Sequence, residues 1–70
     1  MFSEIGEYNR ALEDYHRAIT IYPTATTYYY RGRVYHRLGK YQEAIMDMKN
    51  AASLGNIEAQ KWLLQEGINR

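Results

Sequence analysis

The sequence predicts an all-α fold of antiparallel helix-turn-helix repeats, a short α-solenoid of about four helices with one full repeat flanked by two half repeats. Three observations carry this prediction: an internal repeat of 33 residues, apolar positions spaced three and four apart, and glycines with a single proline at the breaks between them. Helical repeats announce themselves first by self-similarity at a fixed period.

The repeat is read directly. Gly6-Glu7-Tyr8-Asn9-Arg10-Ala11-Leu12 aligns with Gly39-Lys40-Tyr41-Gln42-Glu43-Ala44-Ile45. The same offset pairs Tyr15 with Met48, Ala18 with Ala51, Ile21 with Leu54 and Pro23 with Asn56, without a gap. Each copy has helical period. Tyr41, Ala44, Ile45, Met48, Ala51 and Ala52 form an apolar stripe, repeated by Tyr8, Ala11, Leu12, Tyr15, Ala18 and Ile19. Alanines seven apart on each stripe let a neighbouring helix approach closely. Gly6 and Gly39 are expected just before the two helices as left-handed terminators of whatever precedes them. Pro23 and Gly55 stop the two copies.

Between the copies, Ala25 to Leu38 has no proline and places Tyr28, Gly32 and Tyr35 on one face. Thr24 or Thr26 is suited to cap its start. Gly32 costs about 1 kcal/mol against Ala in a helix, so close packing against a neighbour is its expected reason. After Gly55, Asn56 is the candidate N-cap of a last helix with Ala59, Trp62 and Leu63 on its apolar face and Gly67 at its end. The expected helices are 4–21, 26–38, 41–54 and 57–66.

Composition bounds what such a chain can do. Seventy residues make one small domain, which buries only about 60% of the surface its unfolded chain exposes. There is no cysteine, hence no disulfide or thiolate site. No apolar run approaches the roughly 20 residues that span a bilayer. Residues 1–10 carry acids and no signal-like apolar run, so an intracellular, cytoplasmic location is expected. The net charge of +1 is unevenly spread. Residues 1–25 balance to −2, whereas 26–40 carry Arg31, Arg33, Arg37 and Lys40 with no acid, and hold four of the eight tyrosines.

The spaced positions Tyr28, Gly32, Tyr35, Ala44, Met48 and Ala51 resemble the tetratricopeptide repeat signature W-x2-L-G-x2-Y…A-x3-F…P. Ala11, Tyr15, Ala18 and Pro23 resemble the second half of a preceding repeat, and Trp62 the opening aromatic of a third. The chain departs from the pattern at Arg31, where the family prefers Leu, at Asn56 in place of Pro, and at Gln65-Glu66 in place of Leu-Gly. The stretch from Ala51 to Gln60 also resembles the related Sel-one-like repeat. The resemblance divides the chain into a second half-repeat (1–24), a full repeat (25–56) and a terminal capping helix (57–70).

The resemblance implies a non-catalytic module that binds a protein or peptide on the face lined by the first helix of each pair. On the middle such helix, Tyr29, Arg33, His36 and Arg37 lie off the Tyr28/Gly32/Tyr35 stripe, and the first, second and fourth stand in a row four residues apart. Arginine forks match carboxylates and tyrosine gives rigid contact area with a polar tip, so an acidic segment is the expected ligand. The bland reading leaves these side chains solvated. The family's chaperone-tail subclass places a lysine and an asparagine where this chain has Tyr29 and Arg33, which argues against that partner.

No other chemistry is supported. His16 and His36 sit alone on different helices without metal-ligand spacing. Asp14, Glu43, Asp47 and Glu58 read as scattered along polar faces, and no phosphate loop or nucleophile elbow is present. Neither an enzyme, a metal nor a cofactor is expected. Single-stranded RNA binding would suit Arg with Tyr, but a net charge of +1 argues against nucleic acid. A scaffold segment with no private ligand is the remaining alternative. Helices lacking a partner at both ends also predict a homo-oligomer, head-to-tail or domain-swapped.

Overall fold

The computed structural model describes residues 4–67. Four helices run through them: α1 (Glu4–Ile21), α2 (Ala25–Arg37), α3 (Tyr41–Ser53) and α4 (Ile57–Gln65). The last three residues of the expected capping segment lie outside the described residues.

Local sequence explains the boundaries. Thr24, not Thr26, caps α2, its hydroxyl accepting from the Thr27 amide at 3.2 Å. Asn56 caps α4, its Oδ1 accepting from the Ala59 amide at 2.7 Å. Helices α2, α3 and α4 each stop one residue short of the expected end, because Leu38, Leu54 and Glu66 serve as C-caps. The α2–α3 and α3–α4 turns are the same motif. Gly39 and Gly55 take φ of 80° and 103°. Behind them the Lys40 amide bonds the Tyr35 carbonyl and the Asn56 amide bonds the Ala51 carbonyl, both at 2.9 Å. A β-carbon at either glycine would be strained.

Gly6 departs from expectation. It lies inside α1 and is absent from the positive-φ glycines. Its counterpart Gly39 terminates a helix, whereas α1 already begins at Glu4, so no turn is made at Gly6.

Helices pack in sequence order, α1 on α2, α2 on α3 and α3 on α4. The central seam is close. A β-carbon on Gly32 would sit 3.2 Å from the Ala44 carbonyl oxygen, 3.2 Å from Asp47 Cβ and 3.3 Å from Met48 Cε. This is the reason a glycine stands in mid-helix, and Ala44 is fully buried beneath it. Met48 and Ala51 of α3 join Ala59 and Leu63 of α4 in one cluster, with Tyr28, Tyr29, Ala52 and Trp62 against its edge. The core is thin, and Met48 is its largest fully enclosed side chain.

Asp47 corrects the expectation of a polar-face acid. It is buried at 3% exposure, in the apolar stripe between Ala44 and Met48. Arg31 reaches it across the α2–α3 seam with both prongs, Nε to Oδ2 at 2.7 Å and Nη2 to Oδ1 at 2.6 Å. Nη1 of Arg31 lies 2.9 Å from His16 Nδ1 on α1. Arginine only donates, so that nitrogen accepts. The guanidinium also sits 5.5 and 5.8 Å from the centroids of Tyr28 and Tyr35. The Asp47 bonds raise the Arg31 pKa above its ordinary value, against the opposing effect of burial. One side chain thereby ties three helices together.

Candidate functional site

On α2, Tyr29, Arg33, His36 and Arg37 recur at intervals of four, three and one, so they share a side of the helix. The Asp47–Arg31 fork and the Gly32 contact fix the opposite exposure of that side. With Tyr28, Arg31, Gly32 and Tyr35 turned onto α3, these four residues face α4 and solvent.

The structure brings all four together. They line one open cavity of about 380 Å³, closed on the α4 side by Trp62. Arg33 and Arg37 are exposed, while Tyr29, His36 and Trp62 are half-buried. Arg33 lies over the Tyr29 ring at 5.7 Å. His36 meets Trp62 edge-on at 5.6 Å with an interplanar angle of 89°, and its other side meets Tyr41 at 5.1 Å. The result is an aromatic floor flanked by two guanidinium groups. Arg37 donates to the Tyr8 hydroxyl at a long 3.5 Å. Neither Arg33 nor Arg37 forms an ion pair among the described residues.

The sequence places Trp62 on the α4 apolar face and at the opening aromatic position of a third repeat, and neither reading puts it in the groove. At that opening position Trp62 is the counterpart of Tyr28, and both rings pack against the α3–α4 core. Beyond the His36–Trp62 contact lies an adjoining cavity of about 430 Å³ that includes Tyr41, Ile45 and Glu66. Positive charge thus lies on one side of the aromatic pair and a carboxylate on the other.

The volume and chemistry admit one or two side chains of a ligand. Pockets for whole small molecules run from about 300 to 1,000 Å³ and are mostly enclosed and apolar. This one is open and half charged. No described helix is long and apolar enough to cross a membrane.

Comparison with known proteins agrees with the repeat architecture. The tetratricopeptide repeat family model matches residues 25–56, which span α2, the Gly39 turn, α3 and the turn to Asn56. Searches of curated proteins and of solved structures found no match. Residues 25–56 are therefore a tetratricopeptide repeat, a unit of a family of non-enzymatic scaffolds for protein–protein interaction.

Proposed function

We propose that the chain binds an acidic peptide segment in the groove between α2 and α4, with Arg33 and Arg37 as carboxylate anchors. The observation that carries this reading is the convergence of Tyr29, Arg33, His36, Arg37 and Trp62 on one cavity in which neither arginine pairs with a carboxylate among the described residues. Exposed guanidinium forks have donors to spare and lose little solvation until a ligand covers them. Tyr29 and Trp62 supply rigid contact area, and a side chain lying between them shields the arginine contacts from water. An acid seated on Arg33 and Arg37, next to an apolar residue against Trp62, satisfies both halves of the groove. The acid of Glu66 lies across the aromatic pair, which sets the ligand's direction by repelling its carboxylate end.

Titration of the full chain with acidic and neutral peptides, followed by Trp62 emission, tests this. The acidic series should bind more tightly. Replacing Arg33 and Arg37 together with alanine should weaken it by about tenfold, since each exposed pair contributes at most about 1 kcal/mol. Helicity should be unchanged, because both side chains are exposed. Equal binding of acidic and neutral peptides, or of variant and parent, refutes the assignment. Binding of an RNA oligomer with steep salt dependence, in competition with the peptide, would assign the groove to nucleic acid instead.

A further inference from the structure

The α1–α2 and α3–α4 seams are built differently. Where α3 meets α4, aliphatic side chains close the contact, Met48 and Ala51 against Ala59 and Leu63. Where α1 meets α2, two phenols meet instead. The rings of Tyr15 and Tyr30 lie 6.4 Å apart between centroids and 18° from parallel. At the 33-residue offset Tyr15 stands where α3 has the fully buried Met48, yet it is only half-buried, and Tyr30 is 44% exposed. Neither hydroxyl makes a hydrogen bond with a described residue. Of the described side chains of α1 only Leu12 is buried, so a covalent tie here would act on a thinly packed seam.

We propose that Tyr15 and Tyr30 are an oxidative cross-linking site, joined as dityrosine by a one-electron oxidant of the peroxidase class with hydrogen peroxide as the electron acceptor. Each phenol gives up one electron and its hydroxyl proton and becomes a phenoxyl radical, with spin on the oxygen and on the carbons ortho to it. The two radicals form one carbon–carbon bond between ortho carbons. The hydrogen on each of those carbons then moves to the oxygen and restores both phenols. The pair has lost two hydrogens in all, and one peroxide has been reduced to two waters. Partners held in contact react in a single molecule, ahead of any collision between molecules.

The geometry also selects this pair over the other tyrosines. Tyr29 touches Tyr30 at 5.6 Å and 55°, but the two are consecutive in one helix, where side chains diverge by about 100°. Bonding their ortho carbons would unwind α2. Tyr15 and Tyr30 come from separate helices and can close by side-chain rotation alone. The exposure of Tyr30 leaves room for that rotation and lets the oxidant reach the ring. Tyr22 is more accessible at 74% exposure. It has no ring partner among the described residues, so its radical couples only by collision.

The test treats the full chain, at high dilution, with a haem peroxidase and limiting hydrogen peroxide. The expected product has the mass of the monomer less two hydrogens and the blue emission of dityrosine. Trypsin cleavage after Arg17 parts the two tyrosines, so residues 11–17 and 18–31 should be recovered joined. Tyr15→Phe and Tyr30→Phe keep the ring contact and the fold, and each should lose this product. Tyr22→Phe and Tyr29→Phe should retain it. The cross-linked chain should unfold at a higher urea concentration than the parent, because the tie closes a loop in the unfolded state. Oxidation in urea that already unfolds the chain should show no preference for this pair. Monomer-mass dityrosine that survives Tyr15→Phe or Tyr30→Phe overturns the inference. Coupling only between molecules overturns it too, as does the same selective product from the unfolded chain.

Discussion

Replacing Arg31 with leucine, the residue that tetratricopeptide repeats favour there, should be strongly destabilising in this chain. The reason is the partner left behind. The Asp47 side chain is 4% exposed and receives both of its close hydrogen bonds from Arg31. Removing one member of a buried ion pair costs about 3–5 kcal/mol, because the other charge stays desolvated and unpaired. An exposed pair would cost no more than about 1 kcal/mol. A chain of this length has about 4–10 kcal/mol in all, from roughly 0.05–0.15 kcal/mol per residue. Arg31→Leu should therefore bring the fold close to its unfolding threshold. Arg31→Lys should fall between the two, since an ammonium cannot fork onto the carboxylate or lie flat between Tyr28 and Tyr35.

Urea melts followed by circular dichroism give the free energies. The decisive member of the series is the double variant Arg31→Leu with Asp47→Ala. It removes the orphaned carboxylate and leaves an apolar seam, so most of the lost stability should return. The double-mutant cycle should show a coupling of about 2 kcal/mol or more. An Arg31→Leu cost under about 1 kcal/mol, or strictly additive single changes, would mean that water reaches Asp47 and that the seam is held by apolar contact alone.

Two further outcomes follow from the same seam. Gly32→Ala should destabilise although alanine is the better helix former by about 1 kcal/mol. Two of the three atoms its β-carbon meets, the Ala44 carbonyl oxygen and Asp47 Cβ, belong to the α3 framework and cannot yield without moving the helix. A melt showing equal or higher stability would refute the close approach. Burial raises the Tyr35 pKa, with the Arg31 charge acting in the opposite sense. The folded value lies above the unfolded value of about 10, so Tyr35 contributes its stability fully below that pH and loses it as pH rises through the folded value. Absorbance at alkaline pH should show one tyrosine ionising late, a step that Tyr35→Phe removes. Ionisation of every tyrosine together would refute this.

The fold was legible because its signals are local and duplicated. Helical period, the Gly39 and Gly55 turns and the Thr24 and Asn56 caps each act within a few residues, and the repeat supplies a second reading of two of the helices. The four groove residues of α2 were legible for the same reason, since they share one helix. What escaped was contact between helices. The Arg31–Asp47 pair joins positions 16 apart, and each alone looks like an ordinary surface charge. Asp47 sits at a core position of its stripe, and its recurrence as Asp14 was the available sign. Gly6 misled in the opposite direction. It matches Gly39 in the alignment, but a glycine ends a helix only where a turn is made.

The pairing also changes how the charge on α2 should be counted. Residues 26–40 carry a formal +4, and taken whole that suggests a strongly basic surface open to any polyanion. Arg31 is not part of it. Its fork is occupied by Asp47, and it lies on the α3 side of the helix beneath Tyr28 and Tyr35. Lys40 stands at the turn and does not line the groove. Two guanidinium groups, Arg33 and Arg37, remain to meet a ligand there. In the proposed reading, two exposed charges flanked by aromatic rings suit a short acidic segment with an apolar neighbour better than a long phosphate backbone, whose affinity grows with every charge neutralised. The same ion pair that removes Arg31 from the surface also sets the rotation of α2. Turning Tyr28, Arg31 and Gly32 onto α3 leaves Tyr29, Arg33 and Arg37 on the groove side. Loss of the pair should therefore loosen the groove as well as the core, even though none of its atoms lines the cavity.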